Sequence, residues 1–389
     1  MAAPNVDRLR QPLIYQEKMR SVNILIKPAS SLCNMRCKYC FYSDVAESRS
    51  TPSYGIMTEE TIDALIKKVF DAAEESAGFL FQGGEPTLAG LPFFKRVIEL
   101  QKKYNVNKIP VQNSIQTNGY AINDEWAQFL TESKFLVGLS LDGTRETHNS
   151  LRIDASGKGT YDKVMNAARL FDKHGVEFNI LCVVNNFVAR YPRKVYNELK
   201  RFKYLQFIPC LDPFDGEKQP FSLTNERYAS FLCATFDEYY RDFMEGNYVS
   251  IRNFDNYVRI FMGYPPENCA MCGRCTCYFV AEGDGSIFPC DFYVLDEWKL
   301  GNVHESSFEE LLESEKAKKF VAVSGHISEK CRACRYYPLC RGGCRRDREP
   351  LSSGMPSLNR LCPAYEKFFE YTNERMAEMA KKLMAKNYH

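Results

Sequence analysis

Cysteine is the residue that most constrains this chain. Thirteen of its 16 cysteines lie either from Cys33 to Cys40 or from Cys269 to Cys362. Cys33, Cys37 and Cys40 form C-x3-C-x2-C, and the run from Cys331 reads C-x2-C-x5-C-x3-C, with Cys362 further on. Such close spacing suits metal thiolates. A disulfide framework is the competing explanation, and the compartment decides between them. The segment from Met1 to Arg20 is polar and charged and lacks the apolar centre of a secretory signal. The expected compartment is therefore the cytoplasm, where thiols stay reduced. Cys182, inside the apolar run FNILCVV, reads as ordinary core, as do Cys210 and Cys233.

The remaining composition is that of a soluble globular chain, with 45% hydrophobic and 26% charged residues over 389 positions. A net charge of +2 gives no reason to expect a nucleic acid partner. No apolar run is long enough to span a bilayer, so no membrane partner is expected. Along the chain, β-rich runs alternate with helical patterns. The expected strands are VNILIK, FLFQGG, NSIQTNG, FLVGLSLDG, FNILCVV and YLQFIPC. Helices are expected after Thr58 and Leu91 and from near Asn123, Thr160, Arg190 and Thr224. Six such units in series predict an α/β fold with a parallel sheet and crossover helices. Curled up, that becomes a partial (β/α)6 TIM-like barrel with its site at the C-terminal strand ends. The alternation does not establish closure. The expected divisions are an N-terminal extension over 1–21, a core over 22–245, a linker over 246–265 and a cysteine-rich domain over 266–389 that ends in a helix from about Ala364. Within that domain, FVAEGDGSIFPCDF reads as a hairpin around Asp284-Gly285.

A four-iron cubane takes four ligands, usually cysteine thiolates. Three local cysteines leave one iron without a protein ligand, where a small molecule can chelate and receive an electron. A zinc site of three cysteines would want a histidine, and the first in the chain is His148. In the C-terminal third stand Cys269, Cys272, Cys275, Cys277, Cys290, Cys331, Cys334, Cys340, Cys344 and Cys362. Eight of these would complete two four-cysteine clusters. Spacing alone does not sort them, and does not exclude four-cysteine zinc sites.

C-x3-C-x2-C with an aromatic, Tyr39, before the last cysteine resembles the signature of the radical S-adenosylmethionine (SAM) superfamily. FQGGEP, at residues 81–86, is similar to that family's GGEP motif. The resemblance implies that the open iron of a [4Fe-4S] cluster on Cys33, Cys37 and Cys40 binds SAM. It implies SAM contacts from Tyr39, Gly83, Gly84 and Glu85, from Ser140 and Arg152, and from the backbone near Leu211. Two adjacent glycines let a backbone approach a ligand closely. A serine at a strand end also serves as a helix cap and arginine is commonly a surface cation, and for Ser140 and Arg152 the SAM contact is the favoured reading. The C-terminal pattern resembles the SPASM extension of peptide-modifying members. Carried over, it implies one auxiliary cluster on Cys269, Cys275, Cys290 and Cys344 and a second on Cys331, Cys334, Cys340 and Cys362. That makes three [4Fe-4S] clusters, with Cys272 and Cys277 left over.

IKPASSLCNMRCKYCFY, FQGGEPTLAG, LQFIPCLDP, DGSIFPCDFYVLDEWKLGN and CRGGCRR together resemble the anaerobic sulfatase-maturating enzymes. That likeness implies oxidation of an active-site cysteine or serine of a sulfatase, in a C/S-x-P-x-R-type motif, to Cα-formylglycine. The 5′-deoxyadenosyl radical abstracts a Cβ hydrogen, and a low-potential donor such as ferredoxin or flavodoxin supplies the electron that starts it. Asp291, directly after Cys290, matches the family's catalytic base. A cluster's negative charge is expected to raise its pKa. Gln82, Tyr42 and Asn118 are expected near the substrate. Two rivals stand beside this reading. One is a related SPASM enzyme that makes thioether or carbon–carbon crosslinks in a ribosomal peptide. The other is a zinc-binding scaffold without catalysis.

Overall fold

The structure is a computed structural model that describes residues 20–349 and 355–386. The N-terminal extension expected over 1–21 lies, except for Arg20 and Ser21, outside the described residues. Six parallel strands form the core of the sheet: β1 Ser21–Ile26, β2 Ser76–Phe81, β3 Val111–Thr117, β4 Phe135–Ser140, β5 Phe178–Val184 and β6 Tyr204–Pro209. All six expected strands are there, and β5 coincides with FNILCVV. Alternating burial along β2 and β4 sends Phe79, Phe81, Val137 and Leu139 into one continuous core, each no more than 1% exposed. The crossover helices start where side-chain caps can form. Thr58, Asn123 and Thr224 each accept a hydrogen bond from the backbone N–H three residues on, opening the helices Glu59–Ala72, Asp124–Glu132 and Asn225–Met244.

Residues 246–265 carry β7, Ser250–Ile251, which extends the sheet beside β6, and the helix Arg252–Phe261. That helix and Asn225–Met244 both pack against the C-terminal helix, Cys362–Lys386. The expected hairpin is present as β8 Val280–Ala281 and β9 Ser286–Phe288, with Gly285 supplying the positive φ of its turn. Sequence did not indicate that β8 also pairs in parallel with β1, matching Leu25 to Val280 and Ile26 to Ala281. With β10, Gly301–Asn302, the sheet order is β10-β9-β8-β1-β2-β3-β4-β5-β6-β7. The sheet is not closed. The β8 pairing brings the hairpin, and Cys290 just beyond it, to the C-terminal end of β1. Among the described residues no helix is long and apolar enough to cross a membrane.

Candidate active site

The loop after β1 carries the first three cysteines and is sewn to a second loop. Arg36 and Lys38 donate backbone N–H bonds to the carbonyls of Ile153 (2.7 Å) and Leu151 (3.0 Å). Arg152 therefore faces the cysteine loop. It is 7% exposed, so it is not a surface cation. It donates to Asp142 at 2.9 Å and lies 5.4 Å from the centre of the Tyr39 ring. The Tyr39 hydroxyl donates to the same carboxylate. Asp142, two residues beyond Ser140, was not singled out from the sequence. Its position at the mouth of a strand is the signal that marked its neighbour. Ser140 caps no helix and accepts from Gln116 at 3.0 Å. Leu211 lies between two anchored backbone carbonyls, Cys210 O bound by Arg360 (2.6 Å) and Asp212 O by Arg346 (2.8 Å).

Gly83 and Gly84 have positive φ, +96° and +52°. A Cβ on Gly84 would stand 2.2 Å from the Leu32 carbonyl oxygen, so only glycine lets this turn press on the cysteine loop. Glu85 is buried, and its carboxylate is fully engaged. It accepts from the Thr87 N–H (3.1 Å) and hydroxyl (2.7 Å), the Thr117 hydroxyl (2.7 Å) and the Asn118 N–H (2.8 Å). Burial still raises its pKa against those bonds. Glu85 thus ties the turn to the end of β3. The Asn118 side chain donates to the Cys33 sulfur at 3.7 Å. It stands with the cysteine loop rather than with Gln82 and Tyr42.

The thiols fall into three neighbourhoods. Burial lifts the Cys37 pKa to about 12, Arg152 opposes that, and the sulfurs of Cys40 and Cys33 add to it. Burial, then Asp347, raises Cys344, and Cys290 and Cys275 add to it. Cys269 does the same to Cys275. Cys340 is lifted to about 12 by burial, with Cys331, Cys362 and Cys334 adding to it. Within each of the three ligand sets expected from the resemblance, every thiol has at least one other thiol of its set close enough to affect it. Cys272 has only Cys269 beside it and points at the carbonyl of Asn268 (3.5 Å). Cys277 is raised to about 12 by burial and has Cys275 as its sulfur neighbour. Among the described residues no three His, Cys, Asp or Glu side chains converge closely enough to hold a single ion.

Asp291 sits where the hairpin meets the barrel and is 4% exposed. One carboxylate oxygen, Oδ2, accepts from the Tyr42 hydroxyl (2.6 Å) and from Gln82 Nε2 (3.2 Å), and Gln82 also donates to Tyr42 (2.6 Å). The other, Oδ1, is buried and has no partner among the described residues. The Asp291 N–H donates to the Tyr278 hydroxyl at 2.8 Å, and that hydroxyl lies 3.4 Å from the Cys290 sulfur. The pKa of Asp291 is raised to about 6. Burial is the main cause, ahead of the opposing Lys27 and Tyr42 and the reinforcing Glu282. Beneath lie three side chains that sequence did not bring together. Lys27 and Arg49 both reach Glu282 at 2.6 Å, all three are no more than 1% exposed at the side chain, and Lys27 stands 5.3 Å from the Tyr42 ring centre. Burial works against charge on Glu282, but the two cations hold its pKa below the ordinary value.

Residues 28–198 match the profile of the Radical SAM superfamily, and residues 269–335 match the SPASM iron-sulfur cluster-binding domain. The cysteine-type anaerobic sulfatase-maturating enzyme of Clostridium perfringens is 48% identical over 366 residues, covering 93% of this chain and 99% of its own. The serine-type anaerobic sulfatase-maturating enzyme of Bacteroides thetaiotaomicron is 32% identical over 391 residues, 95% of this chain and 94% of its own. The solved structure of native anSMEcpe with bound AdoMet and Cp18Cys peptide superposes with a TM-score of 0.90 at 47% identity, covering 93% of this chain and 99% of that one.

Proposed function

The chain belongs to the anaerobic sulfatase-maturating enzymes of the radical SAM superfamily, and from that premise we propose that it oxidises an active-site cysteine or serine of a sulfatase to Cα-formylglycine. Cysteine is the preferred target, since identity is 48% to a cysteine-type relative and 32% to a serine-type one. The protein is a radical SAM oxidoreductase that uses iron–sulfur clusters and SAM. We place three [4Fe-4S] clusters on the three cysteine sets. Its setting is the cytoplasm, with ferredoxin or flavodoxin as the low-potential donor. When bound, the cluster of Cys33, Cys37 and Cys40 together with SAM supplies the 5′-deoxyadenosyl radical that takes a hydrogen atom from the substrate Cβ.

The chain's own residues do the rest. Tyr39, Ser140, Arg152 and the backbone near Leu211 line the SAM side, and the Gly83–Gly84 turn presses on the cysteine loop. Asn118 holds the Cys33 sulfur in place. At the other end, Tyr42 and Gln82 immobilise Oδ2 of Asp291, which leaves Oδ1 as the free, desolvated acceptor for the thiol or hydroxyl proton. That unpartnered oxygen is the observation that carries the assignment, because a buried acceptor without a donor is costly unless a substrate provides one. Lys27, Arg49 and Glu282 underpin Tyr42 and Asp291 from the β1 side. The test is an anaerobic assay on a short C-x-P-x-R peptide and its serine variant, read by mass. Formylglycine, formed faster from the cysteine peptide, is expected. A crosslinked or unchanged peptide contradicts the proposal.

A further inference from the structure

The turn Arg345–Arg348 follows Cys344 directly, and Arg345, Arg346, Asp347 and Arg348 are all buried. Three of these charges are answered nearby. Asp347 accepts from Arg360 at 3.0 Å, and Arg346 has the Asp44 carboxylate at 3.8 Å. Arg345 has Glu349 at 3.3 Å. Arg348 differs from these. It is 4% exposed and donates to the carbonyls of Ser324 (2.7 Å) and His326 (2.9 Å), and among the described residues its Nε has no partner. Neither of its partners is a carboxylate. A buried cation without an anion is costly, so a fold that keeps one provides negative charge by other means.

Ser324 links Arg348 to one of the cluster thiols. Ser324, whose carbonyl takes Arg348, also accepts the backbone N–H of Cys275 at its hydroxyl (2.7 Å). The Arg345 guanidinium lies 4.7 Å from the ring centre of Tyr293 and 4.9 Å from those of Trp298 and Phe320. Cys275 and Cys290 pack against those same three rings. The aromatic packing keeps water out, so these charges act at low dielectric. Two cations beside the Cys331, Cys334, Cys340 and Cys362 group are of another kind. Lys330 and Arg335 leave 49% and 71% of their side chains exposed, where water and salt screen them.

We infer that Arg348, assisted by Arg345, is the built-in counter-charge of the cluster on Cys269, Cys275, Cys290 and Cys344 and raises its reduction potential. The inference rests on reading those four thiols as the ligands of one cluster. Four thiolates give such a cluster net negative charge, and taking up an electron makes it more negative. A fixed buried cation therefore favours the reduced form. This cluster, adjoining Asp291, is thereby the one made easier to reduce. That suits the acceptor of the electron that leaves the substrate.

The test uses the Cys33→Ala, Cys37→Ala, Cys40→Ala protein, in which the two auxiliary clusters are observed without the SAM cluster. Iron content and both midpoint potentials are measured by spectroscopically monitored redox titration, with Arg348→Gln and Arg348→Lys added in turn. Arg348→Gln is expected to lower one potential by at least about tenfold in the reduction equilibrium, about 59 mV for one electron. The other potential should stay in place, and Arg348→Lys should restore most of the change. Iron lost from the Gln variant but kept by the Lys variant also supports the inference, since the charge is then what retains the anion. Unmoved potentials, equal shifts in both variants, or iron lost from both overturn it. A parent protein holding only one cluster overturns the ligand assignment beneath it, which iron content reveals before any arginine is changed.

Discussion

The two ends of the site handle sulfur in opposite ways. Cys33, Cys37 and Cys40 are three thiols on one loop, with polar company: the Asn118 amide on one sulfur and Arg152 beside another. Cys269, Cys275, Cys290 and Cys344 are four thiols gathered from distant stretches, set against an aromatic cluster and buried arginines. Three ligands leave a coordination position for a small molecule, and four leave none. The first arrangement is suited to binding and cleaving a cofactor, the second to carrying an electron. Asp291 follows Cys290 of the second set directly, so in the proposed reading proton removal and electron removal are neighbours.

The comparison breaks most visibly if the three-cysteine loop is removed. Cys33→Ala, Cys37→Ala, Cys40→Ala should lose about a third of roughly twelve irons and all SAM cleavage, as measured by iron analysis and 5′-deoxyadenosine formation. Any remaining 5′-deoxyadenosine would place the SAM cluster elsewhere. On the other side, Asp291→Asn should keep iron and SAM cleavage but lower formylglycine formation by about a hundredfold or more, the scale of losing a general base. Near-normal product would make Asp291 structural.

A smaller effect concerns pH. Burial raises the Asp291 pKa to about 6, so below that pH the carboxyl is protonated and cannot act as a base. Product formation at saturating peptide should rise about tenfold per pH unit up to the pKa and level off above it. The limb should be missing in Asp291→Asn. A flat wild-type profile would mean that the rate is set on the SAM side. The mildest change is Tyr42→Phe, which removes one hydrogen bond from Oδ2. A bond to a charged group is worth on the order of 1.5 kcal/mol, so kcat for peptide oxidation should fall about tenfold with SAM binding intact. Loss of SAM binding would show that Tyr42 serves the other end.

What the sequence revealed follows from how local each signal is. FNILCVV lies in a strand because its apolar run and bounds are local, and Thr58, Asn123 and Thr224 cap helices through contacts three residues away. Gln82, Tyr42 and Asp291 could be named from motifs, and the structure brings the three together. Asn118 could be named but not placed, since its position depends on Glu85 fixing the end of β3. Lys27 and Glu282 are 255 positions apart and meet only because β8 docks on β1. A two-residue parallel pairing leaves no periodic trace in a sequence. Asp142 and the buried state of the arginines after Cys344 carry no mark in the sequence, because burial is a property of the fold and not of the residue type.

The central claim is that making the radical and taking the proton belong to different ends of the site. The most direct measurement gives the Asp291→Asn protein a target peptide deuterated at Cβ and follows label into 5′-deoxyadenosine by mass. If the account holds, deuterium appears in 5′-deoxyadenosine while formylglycine stays suppressed. If no deuterium is transferred while iron and SAM binding are intact, hydrogen abstraction itself depends on Asp291, and the division of labour described here is wrong.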